Sequence, residues 1–256
     1  RPAQCRSHSV GVAGSEGAVT AELDVIVDRP ATGVVEVRLN RPDRRNAVTT
    51  RLLRQLRDAI VEIGDDRTAK VVVLSGAGPA FCAGADFDEF TNAEPPNPAD
   101  SLGRLRLVIA CIRGLLELEP VTIAAVHGPA IGAGWGLALG CDTCWAGDQA
   151  VFALPEVAKG FRVPRLIATR LAHVVGPVRA AEIVLSGRKL DADEATSIGA
   201  VGRRITGTAP ARDAAVEFAI ELAAHPRTVL RGAVDPFRTL AVPDAVPGIE
   251  YQWPER

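Results

Sequence analysis

The stretch from Val121 to Cys141 constrains the fold most, because it contains no Asp, Glu, Lys or Arg. About 20 apolar residues suffice to cross a bilayer, so a run of this length resembles a membrane span. It is interrupted, however, by His127-Gly128-Pro129 and by a glycine-rich segment from Gly132 to Gly136, a pattern typical of a turn. We therefore predict a buried strand over Val121 to Val126, then a turn and a buried helix from Gly134 to Cys141.

Composition and charge exclude several classes of partner. The 256 residues are 47% apolar and 23% charged, which predicts a soluble chain that buries one large core. The net charge of -2 favours neither nucleic acid nor a membrane surface as a partner. Cys141 and Cys144 form a single CxxC pair, so we interpret them as small buried hydrophobes and predict no metal site. Such cysteine usage indicates a reducing, cytoplasmic location.

The order of predicted elements indicates an α/β protein. Residues 1–22 mix Gly, Ser, Arg and His without an apolar core, which predicts a disordered N-terminal arm and no signal peptide. A hairpin is predicted over Val25 to Leu39, followed by a strand–helix–strand unit. Its predicted helix, Thr49 to Ile63, has one apolar face formed by Leu52, Leu53, Leu56, Ala59, Ile60 and Ile63. Further predictions are a strand at Lys70 to Leu74, a helix at Leu102 to Leu118, a short strand at Ala150 to Phe152, and helices at Pro164 to Val174, Val178 to Ser186, Asp191 to Ile198 and Ala209 to Ala224.

Two loops in this layout offer backbone N–H groups to a negative charge. The first is Phe81 to Phe87, where small residues and a glycine allow close approach of a ligand. The second is Gly132 to Gly134, at the predicted start of a helix, where unpaired N–H groups favour an anion. If the two loops converge, they form an oxyanion hole.

Several motifs follow one another in a fixed order. They are Leu39-Asn40-Arg41-Pro42 with Asn46-Ala47, Phe81-Cys82-Ala83-Gly84-Ala85-Asp86, Ala124-Ala125-Val126-His127-Gly128 with Gly132-Ala133-Gly134, Cys141-Asp142, and Phe152 with Pro155-Glu156. This ordered set resembles the enoyl-CoA hydratase/isomerase (crotonase) superfamily. The resemblance implies a crotonase-like spiral of ββα repeats over residues 23–201. It also implies a helical C-terminal oligomerisation region over 202–256, a homotrimer or dimer of trimers, and an acyl-CoA thioester as substrate, with no separate cofactor.

The resemblance also implies roles for individual residues. Backbone N–H groups of Ala85 and Ala133 would polarise the thioester carbonyl. The residues that it places around the substrate and its CoA moiety are Arg45, Ala47, Ala83, Gly84, Asp86, Phe87, Gly132, Gly134, Trp135 and Gly136. Arg44 and Arg45 are either phosphate partners or solvated loop arginines.

The acid/base groups distinguish the possible reactions. Hydratases of this family typically use two glutamates; Glu156 matches the second, whereas Gly136 occupies the position of the first. An isomerase can work with one carboxylate that removes and returns a proton. We therefore favour double-bond isomerisation with Glu156 as the proton shuttle. The alternatives are hydration of a trans-2-enoyl-CoA, or a non-catalytic CoA-binding member of the family.

Other classes fit the residues less well. Gly132 to Gly136 does not have the GxGxxG spacing of a dinucleotide-binding loop, and the chain has no GxSxG nucleophile elbow. Four prolines, Pro236, Pro243, Pro247 and Pro254, argue against one long C-terminal helix, and a short helix around Val229 to Val234 is expected instead.

Overall fold

The protein is a mixed α/β structure with two sheets, as seen in a computed structural model that describes residues 23–86, 88–89, 98–207 and 210–239. The strands are β1 (Val25–Ala31), β2 (Val34–Leu39), β3 (Val71–Gly76), β4 (Val121–Val126), β5 (Pro129–Ile131), β6 (Thr143–Ala146), β7 (Val151–Ala153), β8 (Leu190–Asp191) and β9 (Arg203–Arg204). The larger sheet has the order β1-β2-β3-β4-β6-β9, and the smaller one β5-β7-β8. The predicted α/β class is confirmed. The predicted N-terminal arm, residues 1–22, lies outside the described residues.

Most of the larger sheet is parallel. Only β1 and β2 pair antiparallel, as the predicted hairpin, and each later pair in this sheet runs parallel. The chain alternates between the two sheets, because β4 of the larger sheet leads into β5 of the smaller one, and β6 leads into β7. A bridge between Cys82, after β3, and Ala130 of β5 brings segments distant in sequence together where the chain passes between the sheets.

Helices cover both faces of the larger sheet. They are α1 (Thr50–Asp65), α2 (Pro98–Glu117), α3 (Ala133–Leu139), α4 (Arg165–Val175), α5 (Pro177–Ser186), α6 (Ala192–Ser197), α7 (Ala211–Ala223) and α8 (Arg227–Thr239), with short 3₁₀ helices at Pro42–Arg44 and Val157–Lys159. Helix α1 begins after Thr49, whose side chain accepts a hydrogen bond from the Leu52 N–H. All six residues of its predicted apolar face are buried.

Alternation along β3 divides the core into two parts. Val72 and Leu74 face one way, toward a core that includes residues of α1 to α5. Val71 and Val73 face the other way, toward a smaller core beneath α7 and α8. A strand buried on both faces has this apolar character throughout, which explains the uncharged sequence of the neighbouring β4.

Four short strands, β5, β6, β8 and β9, were not predicted, and the first two show the reason. Pro129–Ile131 forms β5, although we interpreted its start as part of a turn. Thr143–Ala146 forms β6, although we predicted no helix or strand there. Both segments are short, and partner strands stabilise them: β5 pairs with β7, and β6 lies between β4 and β9. Their pairing therefore depends on tertiary contacts that local patterns do not report.

The C-terminal helix is longer than expected. Helix α8 runs from Arg227 to Thr239 and contains Pro236, whereas we expected a short helix that ends near Val234. The buried Arg238 anchors its last turn, because its guanidinium bonds to the Asp142 carboxylate and to the carbonyl oxygens of Leu118 and Pro120. These bonds compensate for the backbone hydrogen bond that proline cannot make. Residues 240–256 lie outside the described residues, so the division at 201/202 and the oligomerisation role stay predictions.

The buried cysteines behave as predicted. Cys82, Cys111, Cys141 and Cys144 are free and buried, and burial raises the pKa of the Cys82, Cys111 and Cys144 thiols to about 12. Across the described residues, no group of three or more His, Cys, Asp or Glu side chains is arranged to hold a metal ion. Nor does any described helix combine the length and the apolar character needed to cross a membrane.

Candidate active site

The first loop presents the N–H of Ala85. The Val48 N–H donates to the carbonyl oxygen of Gly84 at 2.8 Å, and the Asp86 N–H donates to the carbonyl oxygen of Val48 at 3.1 Å. Because N–H and C=O point in opposite directions in a trans peptide, the Ala85 N–H points away from Val48. Ala85 itself is half-buried. This N–H therefore lies on the free side of the loop.

The second loop presents the N–H of Ala133 in the same manner. The carbonyl oxygen of Gly132 accepts a hydrogen bond from the Gly136 N–H at 2.9 Å, so it points along α3. The Ala133 N–H, in the same peptide group, points out of the first turn of the helix. Gly132 has φ +55° and ψ -118°, a conformation that glycine adopts without strain.

Hydrogen bonds and close packing join the two loops. The Cys82 N–H donates to the Pro129 carbonyl at 3.0 Å, and the Ile131 N–H donates to the Cys82 carbonyl at 2.9 Å. A side chain on Gly134 would overlap the Cys82 carbonyl oxygen, and a Cβ on Gly84 would lie 3.9 Å from the Ala133 nitrogen. The glycines thus allow the Ala85 loop to approach the start of α3 closely.

Glu156 lies beside this convergence. A Cβ built on Gly132 would be 2.8 Å from its Oε1, so the carboxylate lies directly over Gly132. Its backbone is fixed at the start of the 3₁₀ helix, because its carbonyl accepts hydrogen bonds from the N–H groups of Lys159 and Phe161, at 3.0 and 2.8 Å. The structure therefore brings together three predicted catalytic residues, Glu156, Ala85 and Ala133, although they are distant in sequence.

The Glu156 carboxylate is only partly satisfied by hydrogen bonds, since its own backbone N–H donates to it. Its Oε2 is buried and has no hydrogen-bond partner within the described part of the chain. Burial raises the pKa of Glu156 above its ordinary value, because an apolar environment destabilises the charged form. Phe152 and Leu154, which precede Glu156, are fully buried, and the Phe152 ring packs at 5.6 Å against Trp135. A carboxyl group in these surroundings can serve as either a base or an acid.

An apolar wall faces the position of the missing glutamate. A Cβ on Gly136 would lie 2.6 Å from Cδ1 of Ile167 and 3.0 Å from Cδ1 of Ile112. Gly136 lies one helical turn after Gly132, and the Glu156 carboxylate lies over Gly132. Sequence reasoning identified the absent carboxylate but not Ile112 or Ile167, which come from α2 and α4.

The residues predicted to surround CoA have mixed environments. Arg45 is exposed, Ala47 is nearly buried, and Trp135 belongs to the core. The N–H groups of Ala83 and Asp86 already donate within the protein, to the carbonyl oxygens of Arg45 and Val48. These two N–H groups are therefore not available to a ligand in this conformation. Phe87 lies outside the described residues.

The Asn46 side chain was quoted within the sequence motifs, but its supporting contacts were not foreseen. Asn46 is fully buried at φ +55°. Its side chain donates to the carbonyl oxygens of Ala77 and Ala80, both at 2.8 Å, and accepts from the Arg41 N–H at 2.8 Å. It therefore connects the loop after β2 to the loop after β3. The positive φ of this buried asparagine is uncommon for a residue other than glycine, and it is visible only in the structure.

Comparison with known proteins agrees with this geometry. Residues 29–248 match the family model described as enoyl-CoA hydratase/isomerase. A Mycobacterium leprae protein named probable enoyl-CoA hydratase is 38% identical over 188 residues, which are 71% of this chain but only 64% of that protein. The matched segment thus spans less than two thirds of that relative.

Solved structures extend the agreement to the fold. An enoyl-CoA hydratase from Bacillus anthracis has a TM-score of 0.78 and 29% identity, covering 83% of this chain and 81% of its own. A monofunctional enoyl-CoA isomerase from M. smegmatis has a TM-score of 0.69 and 31% identity, covering 86% and 92%. The predicted crotonase-like fold is confirmed, and the chain belongs to the enoyl-CoA hydratase/isomerase family.

Proposed function

We propose that this protein moves a carbon–carbon double bond within an enoyl-CoA thioester. In this proposal, the N–H groups of Ala85 and Ala133 bind the thioester oxygen and Glu156 carries the proton. The observation that carries the proposal is the wall of Ile112 and Ile167, which faces Gly136 where a second carboxylate would lie. The site then has one acid/base group rather than two.

The chemistry needs only one such group. Glu156 takes a proton from C2 of a 3-enoyl-CoA, and the electron pair spreads into the thioester carbonyl and the double bond to form a dienolate. The Ala85 and Ala133 N–H groups stabilise the developing negative charge on oxygen. Glu156 then returns its proton to C4, which gives the 2-enoyl-CoA. The raised pKa of Glu156 supports this cycle, because the same group must accept and release a proton.

Hydration would require a further element that this site lacks at position 136. A water that attacks the double bond must be held and deprotonated while the α-carbon receives a proton. The methyl groups of Ile112 and Ile167, aimed at Gly136, offer a water molecule no hydrogen bond. An apolar wall in this position favours return of the proton over addition of water.

The CoA moiety is proposed to lie along the loop from Arg45 to Ala47, beside the first oxyanion loop, and no cofactor other than the substrate's own CoA is proposed. The exposed Arg45 supports a contact with phosphate. A trimeric assembly and a cytoplasmic location are further expectations of the same proposal, and size-exclusion chromatography with light scattering tests the first.

Enoyl-CoA hydration is the second candidate, and the name of the M. leprae relative favours it. The two reactions are separated by supplying trans-2-enoyl-CoA and trans-3-enoyl-CoA of several chain lengths and following hydration and double-bond migration independently. Glu156→Gln is measured beside Glu62→Gln, which changes an exposed glutamate on α1. We expect migration without hydration, lost in Glu156→Gln and kept in the control. Substantial hydration by the wild type would overturn the isomerase assignment.

A further inference from the structure

Asp86 was predicted to lie near CoA, but its side chain is directed into the protein. It is 4% exposed, and its Oδ2 accepts a hydrogen bond from Nη1 of Arg41 at 2.8 Å. The same Nη1 donates to the carbonyl oxygen of Ala47 at 2.5 Å. Burial alone would raise the pKa of Asp86, but the hydrogen bond and charge of Arg41 lower it. Nη2 of Arg44 also lies 3.4 Å from Oδ1 of Asp86, and its charge lowers the pKa further. Asp86 is therefore a buried, ionised carboxylate whose shorter contact is with Arg41.

This ion pair connects the two chain segments around Ala85, residues 45–48 and 83–86. Besides the bonds of Val48 to Gly84 and Asp86, the Ala83 N–H donates to the Arg45 carbonyl at 2.9 Å. These three hydrogen bonds all join the Ala85 loop to residues 45–48. Arg41, through Ala47, links this segment to Asp86, which directly follows Ala85.

The direction of the Ala85 N–H depends on this link. It is set by the Gly84–Ala85 peptide, whose carbonyl is held by Val48. Gly84 has φ +90°, and glycine has the widest range of backbone conformations, so little in the chain itself resists rotation of that peptide. The bonds to residues 45–48 and the ion pair beyond them supply the restraint.

We infer that Arg41 and Asp86 are positioning residues for the oxyanion hole, which hold the Ala85 N–H in the direction of the substrate's thioester oxygen. This inference rests on the proposed function. It assigns the Asp86 side chain to the orientation of a catalytic N–H rather than to a contact with CoA. Both side chains bond within the protein, so we expect their effect to pass through the 84–85 peptide.

A similar ion pair elsewhere in the fold provides a matched control. Asp24 is 3% exposed and pairs with Arg51, whose Nε donates to it at 2.8 Å. This pair joins the start of β1 to α1 and makes no contact with either oxyanion loop among its described hydrogen bonds. Asp24→Asn removes an equally buried carboxylate charge without touching the site, so it controls for a general loss of stability.

The test measures polarisation of the thioester carbonyl. A saturated acyl-CoA carrying ¹³C at that carbonyl is bound to each protein, and infrared difference spectra report the stretching frequency. In the wild type we expect a shift to lower frequency, because two N–H donors polarise the bond. In Asp86→Asn the shift should shrink, and kcat for double-bond migration should fall by roughly 10- to 100-fold, with little change in KM. Asp24→Asn should keep the wild-type frequency and kcat.

The possible results distinguish a failure of the proposed function from a failure of the positioning role. A wild-type carbonyl without any shift would mean that the oxyanion hole itself fails, and with it the proposed function. A normal wild-type shift that Asp86→Asn retains, together with its kcat, would overturn the positioning role alone. If Asp86→Asn does not fold, Arg41→Gln removes the same pair from the other side and keeps the Asp86 carboxylate. The same loss of polarisation is expected in that variant, and its absence there overturns the inference equally.

Discussion

Replacing Gly136 by alanine tests whether position 136 really faces the isoleucine wall. The new Cβ would lie 2.6 Å from Cδ1 and 3.0 Å from Cγ1 of Ile167, and 3.0 Å from Cδ1 of Ile112. Carbon atoms pack best at about 3.5–4.0 Å. Overpacking a core in this way costs about 1–3 kcal/mol, whereas glycine to alanine within a helix gains about 0.5–1 kcal/mol. We expect Gly136→Ala to lower the free energy of unfolding by about 1–2 kcal/mol.

A second substitution makes this prediction specific. Ile167→Val removes Cδ1, the closest of the contacting atoms, and on its own should cost about 0.5–1.5 kcal/mol. In the Gly136→Ala protein the same truncation also relieves the overlap, so it should cost less or nothing. The two changes should therefore be coupled by about 1 kcal/mol, as expected for side chains in contact.

Urea unfolding of the wild type, the two single variants and the double variant measures this coupling. The control is Ile123→Val in place of Ile167→Val, because Ile123 is buried in the other core, beneath α7 and α8. That pair should be additive within about 0.3–0.5 kcal/mol. If Gly136→Ala and Ile167→Val were equally additive, Gly136 would not face Ile167. The two isoleucines could then not explain why the site would exclude a hydrating water.

Three further predictions concern the site and the C-terminal helix. Gly132→Ala places a Cβ 2.8 Å from Oε1 of Glu156, at a residue with φ +55°, and should reduce kcat about tenfold or more. The control is Gly176→Ala, where φ is +83° and the space around the Cβ is open; it should lower stability but leave kcat unchanged. For Glu156→Gln we expect a different dependence of stability on pH. Burial raises the pKa of Glu156. As the pH rises from the ordinary glutamate pKa through this raised pKa, the wild type should therefore lose stability relative to the variant; below the ordinary pKa the difference should not change with pH. Melting temperatures that change in parallel across this range would contradict the assignment. Arg238→Ala leaves the buried Asp142 without its arginine and should cost about 3 kcal/mol or more, measured by urea unfolding; a loss below about 1 kcal/mol would show that α8 does not depend on this pair.

The sequence was sufficient where patterns are local. The apolar face of α1 and the uninterrupted apolar run of β4 identified both elements to within a few residues. The two small-residue loops could be identified as places of close backbone approach, because glycine lacks a side chain; their binding of a negative charge stays a prediction. Their convergence followed from the family resemblance rather than from the residues themselves.

The sequence was insufficient where tertiary contacts decide. Strand β5 begins at Pro129 and contains only three residues, so pairing with β7 rather than propensity determines it. Helix α8 continues through Pro236 because the buried Arg238 anchors its last turn. The inward direction of Asp86 could not be predicted either, since an aspartate beside an oxyanion loop has no pattern that distinguishes a ligand contact from an internal ion pair.

Position 136 serves the site in two separable ways. Its backbone N–H donates to the Gly132 carbonyl and so fixes the direction of the Ala133 N–H, whatever side chain the residue carries. In the proposed reaction, its side chain would determine whether the site has a second acid/base group. Under that proposal, a change of side chain at this position would alter the reaction while the Ala133 N–H keeps its direction. In this chain a glycine backed by Ile112 and Ile167 retains the first contribution and omits the second. Recovering a second carboxylate would accordingly require Gly136→Glu together with smaller residues at positions 112 and 167, because both isoleucines approach the place of the new Cβ.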